Sequence, residues 1–303
     1  MAYSRRRDDS VGVQVDFEES SSNSSGPGNA AEGPWTNLLD EALGEVFSRL
    51  PFEERLRTVP LVCKNWRRAS YDPQCWRKVD MNSWFQKRTE EDYWFEFECE
   101  SKIDFFIKQV VDRSCGQLSE LRTMHCSDAS IEYIADRCPS LRVLAIPNSL
   151  AVTDKSATKL AANCPLLQTL DVSDCYNISN QALEAFGRNC PRLHWLGRNM
   201  VKKQDLGAAA PVPDGDEEAI VVSRHMGRLK HLEMKKTSLS DFGLAYLARG
   251  CNQLESLNLA CCTALSPKAL EDVSKQCTNL KEFTKPITPR MHVNPEFLWV
   301  FFE

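Results

Sequence analysis

No run in this 303-residue sequence approaches the ~18 apolar residues that a membrane helix needs. The most hydrophobic stretch, EFLWVFFE at 296–303, is far too short to span. The opening MAYSRRRDDSVG has no apolar core of a secretory signal, so none is expected. An excess of positive charge is also missing. Against 37 Lys and Arg stand 42 Asp and Glu, a net charge of −5, so no global field advertises nucleic acid or an anionic membrane. There is no C-x₂-C pair, no glycine-rich phosphate loop and no carboxylate pair set in a catalytic motif. The five histidines are scattered at 125, 194, 225, 231 and 292, and none forms a nucleophile–base signature with a cysteine. These absences argue against a cofactor, a metal and an enzyme active site.

Cysteine is abundant, with 13 residues. Without a secretory signal these are expected to be reduced thiols. The adjacent pair Cys261–Cys262 cannot by itself build a tetrahedral zinc site. Most of the cysteines instead mark a repeat. CPSLRVLAI begins at Cys138, CPLLQTLDV at Cys164 and CPRLHWLGR at Cys190, each 26 residues after the last. CNQLESLNL at Cys251 and CTNLKEFTK at Cys277 keep the same spacing. CGQLSELRT at Cys115 opens a shorter unit, and MGRLKHLEM puts Met226 in the cysteine slot. A period of ~20–29 residues with this leucine pattern signals leucine-rich repeats, each one strand and one helix of a horseshoe solenoid. Leu141, Leu144 and Ile146 are expected to point inward, as are Leu167, Leu170 and Val172, and Leu254, Leu257 and Leu259. A second cysteine eleven positions on (Cys126, Cys175, Cys262) follows the strand, and Ser, Thr or Asp opens each helix as an N-cap. Arg198 and Lys285 break the rule by occupying the third apolar slot.

The chain divides accordingly. Residues 1–34, rich in Ser, Gly and acids, are expected to be disordered because they have too little apolar surface to offset ordering entropy. Arg5–Arg6–Arg7 is compatible with a nuclear address, although three arginines also occur by chance, and the expected location is nucleus or cytoplasm. Residues 35–81 carry three short helical patterns. Leu39, Leu43, Val46, Phe47 and Leu50 share one face, Phe52, Leu56 and Val59 a second, and Val62, Trp66 and Ala69 a third. Leu50–Pro51 stops the first helix, Pro60 is expected to break the chain again, and the proline of YDP ends the third. Residues 82–112 form an aromatic and acidic connector that turns helical near 102–112. The repeats fill 113–303, with an insertion at 199–215 and a terminal cap at 286–303.

The segment LLDEALGEVFSRLPFEERLRTVPLVCKNWRRASYDPQCW resembles the F-box, the short helical motif that docks on the Skp-type adaptor of cullin ubiquitin ligases. It departs in opening Leu38–Leu39 where F-boxes usually open Leu-Pro. The whole chain, including SWF…EEDYWFEFECE, is similar to plant F-box/leucine-rich-repeat proteins of the Skp-interacting-partner kind. The resemblance implies an α/β fold, a small all-α F-box of three helices followed by the solenoid. It also implies a non-catalytic substrate receptor: the F-box would hold the adaptor, and through it the cullin ligase, while the repeats hold the protein to be ubiquitinated. The expected adaptor contacts are Leu38, Leu39, Leu43, Val46, Phe47, Leu50, Pro51, Leu56 and Val59, with Val62, Cys63, Trp66 and Trp76 as F-box core.

Alternation along each strand then names the residues facing an unknown protein substrate: Arg122, Thr169, Asp171, Trp195, His231, Glu233, Lys235, Ser256 and Asn258. Trp195 is the leading anchor, with packing under the insertion as the alternative reading. The basic residues Lys64, Arg67, Arg68, Arg77 and Lys78 are expected to form a solvated rim, or one that complements an acidic partner, not a nucleic-acid site. The alternative reading of the chain is a plain repeat scaffold resembling ribonuclease inhibitor, which would have no need of an apolar face at 38–56. A thiol enzyme would need a cysteine of depressed pKa.

Overall fold

The computed structural model describes residues 38–82, 84, 85, 99–200 and 213–286. Eight three-residue strands form one parallel, open sheet in chain order: β1 (Lys78–Asp80), β2 (Glu120–Arg122), β3 (Val143–Ala145), β4 (Thr169–Asp171), β5 (Trp195–Gly197), β6 (His231–Glu233), β7 (Ser256–Asn258) and β8 (Glu282–Thr284). The middle residues of β2 to β7 are buried leucines apart from the shift at the ends, where Val79 and Phe283 take the slot. The flanking residues point to the opposite face, as strand alternation requires.

Between strands run α5 (Asp128–Arg137), α6 (Asp154–Asn163), α7 (Asn180–Asn189), α8 (Gly215–His225), α9 (Asp241–Gly250) and α10 (Pro267–Gln276), after a longer α4 (Cys99–Ser114). Each helix buries one stripe against the leucine ladder, for example Ile131 and Ile134 of α5. None is long enough to be stable alone, so stacking supplies the stability.

Two side-chain ladders lock repeat to repeat. In four repeats the opening cysteine is the C-cap of a helix and its thiol donates to a carbonyl one repeat back, as Cys164 does to Cys138 O at 3.5 Å and Cys190 to Cys164 O at 3.6 Å, with Cys251 and Cys277 making longer contacts. A thiol is small enough to fit there and adds a second, weak bond to carbonyls that already accept from Leu141 N and Leu167 N. On the other side, an aspartate near the start of one helix accepts from the N-cap of the next. Asp128 takes the Thr153 N–H and hydroxyl, both at 2.7 Å; Asp216 takes those of Ser240 at 2.7 and 2.6 Å. The caps expected from Ser, Thr and Asp are thus shared between repeats.

Arg198 is fully buried rather than turned out into the insertion. Its guanidinium donates to Glu218 of α8 at 2.9 and 2.7 Å and to the carbonyls of Val172, Cys175 and Ile178. An ion pair therefore fills the core slot that a valine or leucine fills elsewhere. Burial outweighs the arginine in its effect on Glu218, whose pKa is raised. The expected insertion lies mostly at 201–212, outside the described residues, as do the 1–34 segment and nearly all of the 286–303 cap.

The N-terminal unit comprises α1 (Asp40–Ser48), a π-turn at Glu54–Thr58 that runs into α2 (Val59–Val62), α3 (Lys64–Ala69) and a 3₁₀ turn at Pro73–Trp76. Pro60 does not break the chain. It sits in α2, into which the π-turn runs without a gap, and the chain breaks instead at Cys63, whose extended backbone caps α3 and whose Sγ accepts from Trp66 N.

This unit is continuous with the solenoid, because β1 follows its last turn directly and pairs with β2. Phe52 meets Trp84 and Phe106 edge-on, joining it to α4. Trp76, fully buried, lies between two guanidinium groups, Arg55 at 5.3 Å and Arg113 of α4 at 5.0 Å, and donates to Ser70 O at 2.8 Å.

Candidate functional surfaces

The N-terminal unit divides its apolar residues between core and surface. Leu43, Phe47 and Val59, expected as adaptor contacts, turn inward and are buried. Phe47 stacks obliquely on Trp66 at 5.1 Å. They hold the helices together and cannot touch a partner. Leu50 and Leu56 are half-buried against the same core. Leu38, Leu39, Val46 and Pro51 are exposed, Leu39 at 72%.

Val62 is a second correction: expected in the core, it is 54% exposed beside Leu61 at 76%. Leu61 was not among the expected contacts. Helical spacing could have found it, because Phe52, Leu56 and Val59 set the inward stripe and a residue two beyond Val59 lies about 200° away. Cys63, Trp66 and Trp76 are half-buried, half-buried and buried. The bidentate bond from Arg68 to Asp40, at 2.6 and 2.9 Å, ties the start of α1 to α3, so Leu38 and Leu39 are held near α3, which directly follows Leu61 and Val62. Arg67 donates to Pro60 O at 3.0 Å. Part of the basic rim therefore fixes the helices that present the apolar residues.

The strand face carries the other set. Strand pairing aligns Thr169, Trp195, His231 and Ser256 in one row, and Asp171, Gly197, Glu233 and Asn258 in the next, with Arg122 two strands before Asp171. Lys235 lies one step further along its chain. All nine expected residues are half-exposed on this face. Glu233 Oε2 accepts from Lys235 Nζ at 2.9 Å and from Asn199 Nδ2 at 3.0 Å, and Arg122 pairs with Glu120 at 2.9 Å. Asp171 Oδ1 accepts from Ser173 N at 3.0 Å, the same turn that Asn258 makes with Ala260. Burial, aided by the charge of Glu233, raises the Asp171 pKa. Gly197 and Asn199 belong to this surface but carry no chemical signature in sequence.

The thiols have a different character. Burial pushes those of Cys138, Cys164, Cys190 and Cys251 up to about 12 and that of Cys75 to about 11, the opposite of what a nucleophile requires. Among the described residues no three His, Cys, Asp or Glu side chains are grouped to hold a metal ion.

A helical unit with outward apolar residues, fused to a solenoid whose strand face is polar and open, defines a two-surface binding protein. The F-box-like family model matches residues 35–82. In Arabidopsis thaliana, F-box protein SKIP1 is 39% identical over 260 residues, and putative F-box/LRR-repeat protein 19 is 46% identical over 264; each alignment covers 83% of this chain and 87% of the relative. F-box protein FBW2 of the same plant is 32% identical over 75% of this chain and 68% of its own length. Among solved structures, the yeast Rad7 and Elc1 complex gives a TM-score of 0.39 at 16% identity, covering 69% of this chain and 52% of that one. The chain belongs to the F-box/leucine-rich-repeat proteins and is an F-box substrate receptor.

Proposed function

We propose that this chain is the non-catalytic substrate-recognition subunit of a Skp-cullin-F-box ubiquitin ligase, working in the nucleus or cytoplasm. The F-box holds a Skp-type adaptor, and the strand face of the repeats holds the protein to be ubiquitinated for proteasomal degradation. The observation that carries this reading is the outward set Leu38, Leu39, Val46, Leu61 and Val62 on a unit whose other apolar side chains are largely turned inward. Exposed leucines on short, well-packed helices cost solubility unless something covers them.

The joint gives the arrangement mechanical sense. With β1 in the common sheet and Trp76 clamped by Arg55 and Arg113, a substrate on the strand face is presented at a fixed position relative to the adaptor. Fixed geometry supports transfer to a substrate lysine by a ligase that is itself elsewhere in the assembly.

Co-purification with a recombinant plant Skp-type adaptor tests the first half: Leu39→Asp with Leu61→Asp should abolish capture while the far-ultraviolet circular dichroism is unchanged. For the second half, Trp195→Ala with Glu233→Lys should abolish substrate capture by a chain that still holds the adaptor. Capture that survives this pair but disappears when 202–215 is deleted would move recognition to the insertion.

A further inference from the structure

Three neighbouring positions on the strand face form a cradle with a definite chemical preference. Asp171, Gly197 and Glu233 stand side by side on β4, β5 and β6, strands about 4.8 Å apart. Trp195 precedes Gly197 by two residues, so its side chain rises from the same face. A Cβ at Gly197 would stand 2.7 Å from Asp171 Oδ1 and 2.8 and 2.9 Å from Trp195 Cη2 and Cζ3. The carboxylate and the indole edge thus converge over one bare stretch of backbone, and only glycine leaves them room.

The two acids differ in their partners. Glu233 is neutralised by Lys235 and further held by Asn199. Asp171 accepts from the Ser173 N–H, and none of the described lysines or arginines forms an ion pair with it. A carboxylate that is partly withdrawn from water beside a second acid gains most from an incoming cation, and an indole face attracts the same charge.

We infer that this cradle receives a basic side chain of the substrate, an arginine or lysine, laid against Trp195 and paired with Asp171. The inference rests on the strand face being the substrate surface. Charge complementarity sets the occupant: Lys235 is already taken up by Glu233, so an acidic or phosphorylated segment would meet Asp171 at close range, and an apolar one would bury Asp171 without a counter-charge.

A positional peptide library, presented to the full chain bound to its adaptor, tests this. Arginine or lysine should be enriched at one position of the bound peptides. Trp195→Ala should weaken binding of a selected peptide about 3- to 10-fold, the range of a partly desolvated cation–π contact. Asp171→Asn should flatten the basic preference, and Asp171→Lys should turn it toward Asp and Glu. No basic enrichment, or enrichment indifferent to Asp171→Asn, overturns the inference. The underlying reading has its own readout. If proteins captured from plant extract still depend on Trp195 while the library shows no basic preference, the strand face stands and the cradle assignment falls; if capture ignores Trp195, both fall.

Discussion

Among the described residues two arginines are buried, one inside the solenoid and one where the F-box meets it, and their surroundings differ. Arg198, inside the solenoid, faces Glu218 and three carbonyls and replaces an apolar core residue. Arg55, at the F-box joint, has no carboxylate among the described residues; Cys75 O, Lys78 O and the face of Trp76 surround it, and burial pulls its pKa down to about 10. The first is a paired charge that rebuilds a repeat where the chain is lengthened. The second is a polar rivet that gathers the 3₁₀ turn and β1 around one tryptophan. Buried charge can close a core or fasten two modules, depending on whether its counter-charge is an acid or the backbone.

The largest loss of stability is expected around Arg198. Glu218→Leu leaves its guanidinium buried with carbonyls alone and should destabilise the fold by about 3–5 kcal/mol, measured by chemical denaturation. Replacing both, with Arg198→Leu and Glu218→Leu, should recover most of that loss. At the other junction, Trp76→Ala should cost about 3–5 kcal/mol and should weaken adaptor binding only in step with unfolding. Phe47→Ala should behave likewise.

Against these core changes, Leu61→Ala should leave thermal stability within a degree or so and reduce adaptor affinity by about tenfold, as truncation of an interface anchor does. Isothermal titration calorimetry alongside a thermal melt separates the two effects.

Asp171 gives the smallest effect. Its folded-state pKa is raised, so the charged carboxylate destabilises the fold at neutral pH, and the penalty is relieved as pH falls through that raised value. Asp171→Asn should therefore raise the melting temperature slightly at pH 7 and lose that advantage in acid. An Asp171→Asn variant less stable at pH 7 than the parent would show that the acid has a hidden structural partner.

Much of this was legible in the sequence because the repeat repeats. Seven segments, five reading C-x-x-L-x-x-L and two with Met226 or Phe283 in its slots, located seven of the eight strands, and alternation placed Trp195 and Glu233 on the open face, since the middle residue of each strand must join the leucine ladder. The F-box residues were legible as a set but not by face. Leu43, Phe47, Leu61 and Val62 are all apolar; α1 turns the first two inward, while the last two leave the inward stripe that Phe52, Leu56 and Val59 set. Arg198 read as an irregularity because its compensation, Glu218, lies 20 residues on and beyond the insertion. Gly197 was silent for a simpler reason: its contribution is the absence of a side chain.

The central claim is that the outward face of the F-box, not its core, holds the adaptor. The most direct measurement is the dissociation constant of the chain for a recombinant plant Skp-type adaptor, compared between the parent and Leu39→Asp/Leu61→Asp at matched stability. The parent should bind tightly and one-to-one, and the variant should show no measurable binding at concentrations where both remain folded. Equal affinity for the two, or no binding by the folded parent, would contradict it.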